Sequence, residues 1–381
     1  MKLALVTETY PPEINGVAMT LGHLVGGLCR RGHRVDVVAP ARRDRPVQTG
    51  GPHTLHAVPG LPIPRYPELR FGLPAARRLR RMWTAARPDL VHVATEGPLG
   101  WSALRAARRL GIPAVSSFHT NFHSYGRHYG YGLLRRPVLA WLRHCHNRTL
   151  RTFAPSTDVM RLLEADGFAN LSLLARGVDT GLFGPHRRAP ELRRQWGAGE
   201  GAPVALYTGR LAGEKNLDLV LQAHARMRQL LPDLRMVLVG DGPERERARR
   251  RCPEAHFAGM RRGADLAAHY ASADCFLFAS VTETFGNVVT EAMASALPVL
   301  AFNYAAPARF IRDGDNGLLA PLGDAAAFLQ QASMLAARRD RWAAMGQSAR
   351  EALLPFSWDA IVEDYLAGLQ SLPGPPATAP S

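Results

Sequence analysis

Short apolar segments alternate with amphipathic segments along most of the chain. Glycine, proline or charged residues bound each apolar segment, a pattern typical of buried parallel strands. The predicted strands are 2–8, 34–40, 89–95, 113–119 and 152–156, followed by 203–209, 235–242, 275–280 and 298–302. Stretches between them, such as 17–31 and 98–110, place apolar residues on one helical face. Strands and helices in alternation predict βαβ units and doubly wound sheets.

The alternation stops and restarts once, which predicts two domains. A segment rich in glycine, proline and arginine, 173–203, separates the two runs, and 381 residues are too many for one ordinary core. We expect Rossmann-like domains at 1–175 and 176–355, a terminal helix at 356–370 and a disordered tail at 371–381. The two domains are expected to face a shared cleft, with ligands beyond the carboxyl ends of the strands.

Composition narrows the class of protein. Hydrophobic residues make up 46% of the chain and charged residues 21%, as in a globular protein. No apolar run is long enough for a membrane span, and the first residues are typical of a buried strand rather than a signal peptide. The four cysteines are far apart, which favours reduced thiols in a cytoplasmic protein and disfavours a zinc site.

The chain is strongly basic, with a net charge of +15. Such a surface attracts nucleic acid, anionic lipid or phosphorylated substrates. The charge is spread over both predicted domains without a recognition motif, which disfavours a nucleic-acid-binding protein. Almost all the basic residues are arginine, so Lys215, one of only two lysines, stands out.

Two loops at predicted strand ends carry groups suited to a phosphate. Gly16 lies between the first strand and a helix, where the backbone can approach an anion; a plain turn glycine is the alternative. Arg210 and Lys215 share a loop after the first strand of the second domain, and a forked and a mobile cation together suit a diphosphate. An ordinary solvated loop is the alternative interpretation. The GxxxxGK[ST] spacing of a Walker loop is absent, which disfavours ATP hydrolysis of that kind.

The segment SVTETFGNVVTEAMASALPV, 280–299, holds two acids eight positions apart. On a continuous helix Glu283 and Glu291 would lie about 12 Å apart, farther than the ~5–9.5 Å between the carboxyl groups of glycosidases. Four backbone amides between them lie at the positive end of a predicted helix. These are the amides of Phe285, Gly286, Asn287 and Val288. The pattern matches a ligand with hydroxyls at both ends and charge between, such as a nucleotide sugar.

The segment 116–132 contains His119, His123 and His128. The i, i+4 spacing of the first two suits a metal only on a helix, and His119 ends a predicted strand, so a metal site is disfavoured. A histidine at a strand end is a candidate for hydrogen bonding or proton transfer.

Taken together, these motifs resemble the retaining glycosyltransferases of family 4, which have the GT-B fold and use nucleotide sugars. The resemblance rests on ETYPPEINGVAMTLGHL, FHTNF, GRLAGEKNLD, VGDGP and, above all, the Glu-x7-Glu segment followed by GDNGLLAP. FHTNFHSYGRHYG and WLRHCHNRT are similar to bacterial GDP-mannose-dependent α-mannosyltransferases that act on lipid-linked acceptors.

The resemblance implies which residues take part in catalysis. His119, Arg210, Lys215 and Glu283 are the implied catalytic residues, with His119 beside the transferred sugar and the two cations stabilising the leaving diphosphate. Gly16 is implied to approach the same diphosphate from the first domain. No metal or other cofactor is implied, because the cations and a helix dipole supply the positive charge.

The remaining donor contacts are implied along the Glu-x7-Glu segment. Glu283 is implied to hold the hexose hydroxyls, helped by the amides of the helix start, and Glu291 to hold the ribose. Where many relatives have a GG-x-x-E turn, this chain has Ala305, Ala306 and Pro307 in place of the glycines, and Ala308 and Arg309 where an acid is expected. Sugar choice is therefore expected to depend partly on this turn.

Several functions stay open at this point. The preferred one moves a hexose, mannose from GDP-mannose, to a lipid or lipid-linked acceptor with an α linkage. The alternatives are a UDP-sugar transferase that glycosylates diacylglycerol with glucose or glucuronate, and a sugar-nucleotide epimerase or hydrolase. A phosphorylase needs a lysine that carries pyridoxal, and Lys215 is poorly suited because its loop is predicted to be solvated.

Arginines give the first domain a basic character that suits peripheral contact with the anionic inner face of the cell membrane. An ordinary solvated surface is the alternative. The arginines are Arg77, Arg78, Arg80, Arg81, Arg105, Arg108, Arg109, Arg135, Arg136 and Arg143.

Overall fold

The computed structural model describes residues 1–13, 15–41, 53–63, 66–119, 135–199 and 201–372. The chain forms two compact units: an N-terminal unit, Met1–Arg176 with Trp358–Ser381, and a C-terminal unit, Gly177–Ser357. Each unit is built around its own parallel sheet.

The N-terminal unit has a sheet of seven parallel strands among its described residues, in the order β3-β2-β1-β6-β7-β8-β9. Its strands are β1 Lys2–Val6, β2 Arg34–Pro40, β3 His53–Val58, β6 Leu90–Val93, β7 Ala114–Ser117, β8 Thr152–Ala154 and β9 Leu171–Leu173, and a separate antiparallel pair is formed by β4 Gly60–Ile63 and β5 Tyr66–Gly72. Its helices are α1 Gly16–Arg30, α2 Ala76–Ala85, α3 Pro98–Arg109, α4 Arg135–His146, α5 Thr157–Ala165 and, at the end of the chain, α14 Trp358–Gln370.

The interior strand β1 shows why this sheet forms. Leu3 and Leu5 point to one face, where they join a core with α1 and α14, whereas Ala4 and Val6 point to the other, where they join a core with α2 and α3. A parallel strand covered on both faces requires such a continuous apolar run.

The C-terminal unit repeats the design with six parallel strands among its described residues, in the order β12-β11-β10-β13-β14-β15. The strands are β10 Val204–Thr208, β11 Arg235–Val239, β12 His256–Gly259, β13 Cys275–Phe278, β14 Val299–Phe302 and β15 Gly317–Ala320. The helices are α6 Pro190–Gln195, α7 Leu217–Arg228, α8 Arg245–Arg251, α9 Gly263–Ser272, α10 Asn287–Ala294, α11 Ala306–Phe310, α12 Ala325–Ala337 and α13 Trp342–Leu353. The predicted fold class, two Rossmann-like domains, is confirmed.

In both sheets the strand order reverses beside the first strand of the unit, between β1 and β6 and between β10 and β13. Ligands of doubly wound sheets bind beyond the carboxyl ends of the strands at such a switch point. The segments that follow β1, β10 and β13 are those in which the sequence predicts functional residues. Within the described part of the chain, no helix is long and apolar enough to cross a bilayer.

Candidate active site

The segment after β10 presents both predicted cations. The hydroxyl of Tyr207 donates to the Arg210 carbonyl at 2.9 Å, and the amide of Leu211 donates to the Asp241 carbonyl at 3.0 Å. These bonds fix the backbone beside the turn that follows β11. The Arg210 side chain is about half-exposed and lies 3.5 Å from the carboxylate of Glu214.

Lys215 and Glu283 form a close ion pair, with Nζ and Oε1 2.5 Å apart. Both side chains are mostly buried, with exposed fractions of 21% and 17%. The Thr282 hydroxyl donates to the Glu214 carbonyl at 3.2 Å and so ties the two loops together. The structure therefore joins the residue predicted to bind the diphosphate to the residue predicted to bind the hexose.

The N-terminus of helix α10, the positive end of its dipole, lies shortly after Glu283 in the sequence. Helix α10 begins at Asn287, and Gly286 before it has a φ of +100°, which favours glycine. An added Cβ on Gly286 would lie 3.7 Å from Glu283 Cγ, so the helix start lies next to that side chain. Phe285 is fully buried as a whole residue, and its carbonyl accepts a hydrogen bond from the Ala306 amide at 2.8 Å. The Val288 amide is in the first helical turn, as predicted.

Glu291 lies one turn into α10 and has a separate environment. The buried hydroxyl of Tyr270 donates to its Oε2 at 2.9 Å. Burial raises the pKa of Glu291 to about 7, and the hydrogen bond from Tyr270 opposes the shift. A carboxyl group held in this way is placed to pair with ligand hydroxyls rather than with a cation.

The N-terminal unit holds a second set of residues beyond β1 and β7. Gly16 is the first residue of α1, where the Asn15 side chain caps the amides of Val17 and Ala18 at 3.1 and 2.9 Å. A Cβ on Gly16 would lie 3.2 Å from Arg176 Nη1, so the glycine leaves room for that guanidinium.

His119 lies two residues beyond the end of β7, and its Nε2 is 2.8 Å from the Ser117 hydroxyl. Burial lowers the pKa of His119 well below its usual value, and the nearby charge of Arg176 lowers it further. The imidazole is therefore neutral at ordinary pH. His123 and His128 lie outside the described residues.

Sequence reasoning missed Arg176, a charged side chain only 6% exposed that adjoins both Gly16 and His119. It lies in a segment interpreted as a connector, and the only available signal was an arginine among apolar residues at the end of a strand. Sequence reasoning also missed a cluster of His224, Cys252 and Glu254. The side-chain atoms of these residues that could bind a metal lie within 4.8 Å of one another. Glu254 is paired with Arg228, and the cluster is not among the residues at the strand carboxyl ends.

Comparison with known proteins identifies the family. Residues 14–182 match the model for Glycosyltransferase Family 4, and residues 202–338 match that for glycosyl transferases group 1. The chain is 36% identical over 378 residues to a GDP-mannose-dependent alpha-mannosyltransferase of Mycobacterium tuberculosis, covering 98% of this chain and 97% of that protein. The chain belongs to glycosyltransferase family 4.

This glycosyltransferase is also 32% identical to the Corynebacterium glutamicum protein of the same description, covering 96% of this chain and 88% of the relative. A more distant relative, 27% identical, is the alpha-monoglucosyldiacylglycerol synthase of Streptococcus pneumoniae, with 79% of this chain and 71% of that protein covered. The predicted family and enzyme class are confirmed.

The solved structure of Anabaena HepE in complex with UDP and glucose has the same fold. Its TM-score is 0.73 at 19% identity, with 98% of this chain and 100% of that chain covered. The GT-B assignment of this glycosyltransferase is confirmed by that likeness.

Proposed function

We propose that this glycosyltransferase moves a mannosyl group from GDP-mannose to a hydroxyl of a lipid or lipid-linked acceptor, forming an α linkage with retention. The observation that carries the proposal is the identity of 36% and 32%, over almost the whole chain, to two GDP-mannose-dependent alpha-mannosyltransferases. The similarity spans both units and therefore all the candidate residues.

In the proposed complex the C-terminal unit binds the nucleotide diphosphate. Arg210 and Lys215 supply two positive charges, and the start of α10 supplies amide donors and the positive end of a helix dipole. Glu283 accepts hydrogen bonds from the hexose, and Glu291 accepts them from the ribose. Because Lys215 already contacts Glu283, one ion pair would link the diphosphate to the sugar.

The reaction breaks the bond between the anomeric carbon and the diphosphate oxygen and forms one to the acceptor oxygen on the same face. Negative charge develops on the leaving diphosphate, and Lys215, Arg210 and the helix start stabilise it. The leaving phosphate accepts the acceptor's proton. In this proposal these groups supply the charge stabilisation without a metal.

A UDP-sugar donor is the competing proposal. The Streptococcus pneumoniae relative, an alpha-monoglucosyldiacylglycerol synthase, supports glucose as the sugar, and the HepE structure contains UDP and glucose. The same cations and carboxylates would serve either nucleotide, so a preference for one donor must come from contacts with the base and the sugar.

A thermal-shift panel separates the two donors. We expect GDP and GDP-mannose to raise the melting temperature, and UDP, ADP and UDP-glucose to raise it much less, because a ligand stabilises only the state that binds it. Stabilisation by UDP and UDP-glucose alone would refute the mannose assignment.

The two lysines of the chain provide a matched pair of variants. Loss of a charge-assisted bond to the diphosphate in Lys215→Met should weaken GDP binding about 10- to 100-fold. Lys2→Met removes the only other lysine, which contacts Asp36 and the Ala86 carbonyl in the N-terminal unit, and should bind GDP like the wild type. Equal affinities in calorimetry would remove Lys215 from the donor site.

For the acceptor, we propose peripheral contact of the N-terminal unit with an anionic membrane. Helices α2, α3 and α4 contain no acidic residue. Helix α2 packs against α3, and the Trp101 ring of α3 contacts the Trp141 ring of α4, with 5.0 Å between the ring centroids. Trp141 is 41% exposed and Arg148 lies over Trp101. Exposed arginines beside an amphipathic aromatic group suit a headgroup layer.

A further inference from the structure

A chain of three hydrogen bonds runs through the core of the N-terminal unit from the last helix to His119. The Tyr365 hydroxyl on α14 is 2.9 Å from His92 Nδ1, and His92 Nε2 is 2.9 Å from the Ser117 hydroxyl. The same hydroxyl is 2.8 Å from His119 Nε2. Tyr365 is fully buried, and its ring packs against those of His92 and Phe153.

The two histidines of this hydrogen-bond chain, His92 and His119, are both neutral. Burial lowers the pKa of His92 to about 3, and burial together with the charge of Arg176 lowers that of His119 well below its usual value. A neutral imidazole has one N–H donor and one acceptor nitrogen. The Ser117 hydroxyl has one proton and, among the described residues, no acceptor other than these two imidazoles. It therefore donates to one histidine and accepts from the other, so the three hydrogen bonds all run in one direction or all in the other.

The tyrosine decides the direction. Its hydroxyl has no other hydrogen-bond partner among the described residues, so it donates to His92 Nδ1; otherwise a buried O–H would lack an acceptor. His92 then carries its proton on Nε2 and donates to Ser117, and Ser117 donates to His119 Nε2. The remaining proton of His119 is on Nδ1.

That nitrogen is buried and makes no hydrogen bond to any residue that the structure describes. His119 lines a small cavity of about 30 Å³ together with Arg176, Thr20 and Ala175. The cavity has room for one group of the size of a water molecule or a hydroxyl. The reverse direction would leave both the Tyr365 O–H and the His119 Nδ1 lone pair without partners.

We propose that Tyr365, His92 and Ser117 are positioning residues that hold His119 in the Nδ1–H tautomer, so that His119 presents a hydrogen-bond donor to an oxygen of the transferred sugar. The tautomer follows from the hydrogen-bond geometry together with the neutrality of the two buried imidazoles, and only the identity of the sugar oxygen as acceptor rests on the proposed function. Tyr365 of α14 thus fixes the tautomer of His119, which lies 246 positions earlier and two residues beyond the end of β7.

The test is ¹⁵N-edited NMR of the ligand-free enzyme with labelled histidine, assigned with a His119→Gln variant. We expect a protonated Nδ1 and a bare Nε2 at His119, and a protonated Nε2 at His92. In Tyr365→Phe the terminal donor is lost, so the Nε2–H form of His119 should appear. Turnover of GDP-mannose should fall about three- to tenfold, with the donor KM unchanged.

Tyr10→Phe is the matched control, because Tyr10 is buried in the same core and its hydroxyl is 3.3 Å from another histidine, His53. It should leave the His119 signals unchanged. If Tyr365→Phe does not fold, Ser117→Ala tests the same chain at its centre and should also convert His119 to Nε2–H.

An Nε2–H tautomer in the wild type, or an unchanged tautomer in both variants, would overturn the proposal. The expected tautomers in an enzyme that binds only UDP-sugars would instead refute the GDP-mannose assignment and leave the hydrogen-bond chain intact.

Discussion

Glu291 is a carboxyl group whose charge changes near neutral pH. Burial raises its pKa from 4.5 to about 7. Between these values the unfolded chain has lost a proton that the folded enzyme retains. The stability that this group contributes is therefore fully present below about pH 4.5 and is lost as the pH rises through about 7.

We predict that GDP-mannose binds more tightly as the pH rises from about 6 to about 8. Only the ionised carboxylate accepts hydrogen bonds at both oxygens, and the ionised fraction of a group with a pKa of 7 increases about tenfold over this range. Calorimetry should show a comparable decrease in Kd for the wild type and none for Glu291→Gln.

The control for this prediction is Glu8→Gln in the N-terminal unit. Burial also raises the pKa of Glu8 to about 7, with backbone amides of Gly72, Leu99 and Gly100 opposing the shift. This variant should keep the pH dependence of the wild type. A wild-type Kd that does not change with pH would remove Glu291 from the donor site.

Ala305 has a backbone conformation that normally requires glycine, with φ +58° and ψ −126°. It lies before α11, where the amide of Ala306 donates to the Phe285 carbonyl at 2.8 Å. The turn therefore supports the segment between Glu283 and Glu291. The alanine thus has a backbone conformation that suits a glycine.

We predict that Ala305→Gly stabilises the protein by about 1 kcal/mol, because it relieves this strain. Ala332→Gly, in the middle of α12, is the control and should destabilise by about 1–2 kcal/mol, because it loses both helix propensity and a buried methyl group. Urea denaturation measures both changes. A destabilised Ala305→Gly variant would contradict the strain argument.

At the scale of elements, α14 joins the N-terminal unit through close contact with α1. A Cβ on Gly27 would lie 2.5 Å from Val362 Cγ2, so the two helices approach at a glycine. Arg31 at the end of α1 also pairs with Asp359 and Glu363 at 3.0 and 2.9 Å. The glycine contact is buried in the core, whereas the ion pairs lie at the surface, where each contributes little to the free energy of unfolding.

Adjacent glycines in α1 test this packing. Gly26→Ala has space for the methyl group, 3.5 Å from Arg30 Nη1, and should stabilise by about 0.5–1 kcal/mol through helix propensity. Gly27→Ala gains the same propensity but must displace Val362, and overpacking costs about 1–3 kcal/mol. Urea denaturation should therefore show changes of opposite sign in the free energy of unfolding for the two variants. A stabilised Gly27→Ala variant would mean that α14 is free to move.

Six of the described strands are not predicted from the sequence. Two of them, β4 and β5, form the separate antiparallel pair, and the other four share one property. β3, β9, β12 and β15 are the four edge strands of the two sheets. An edge strand pairs on one side only and is less completely covered, so its sequence needs no continuous apolar run. The interior strands are all predicted, β2 with its observed bounds and the others too long. For example, β1 stops at Val6 because the hydroxyl of Thr7 donates to the Thr9 carbonyl and turns the chain.

For the whole molecule, the two doubly wound units and the loops at their strand ends were predictable because both depend on local patterns. Arg210, Lys215 and Glu283 each follow a recognisable strand, so topology alone placed them at the switch point. The His92–Tyr365 contact was not predictable, since it joins residues 273 positions apart through the packing of a helix. Long-range contacts of this kind carry no local sequence signal.

The arginines of α2, α3 and α4 form a basic surface that suits binding to anionic membranes. Eight arginines of α2, α3 and α4 are exposed, and these helices have no acid to neutralise them. They are Arg77, Arg78, Arg81, Arg105, Arg108, Arg109, Arg136 and Arg143. Each basic residue near an anionic surface contributes about 1 kcal/mol, and salt screens the attraction.

We therefore expect the enzyme to float with vesicles of anionic lipid at low salt, to be released at high salt, and to ignore neutral vesicles. Replacing Arg77, Arg78 and Arg81 by serine should abolish flotation. The same charge change at Arg226, Arg250 and Arg262, exposed on the C-terminal unit, should not. If both triple variants lose binding equally, net charge rather than the surface of α2, α3 and α4 causes the attraction; no flotation of the wild type at low salt would refute membrane contact.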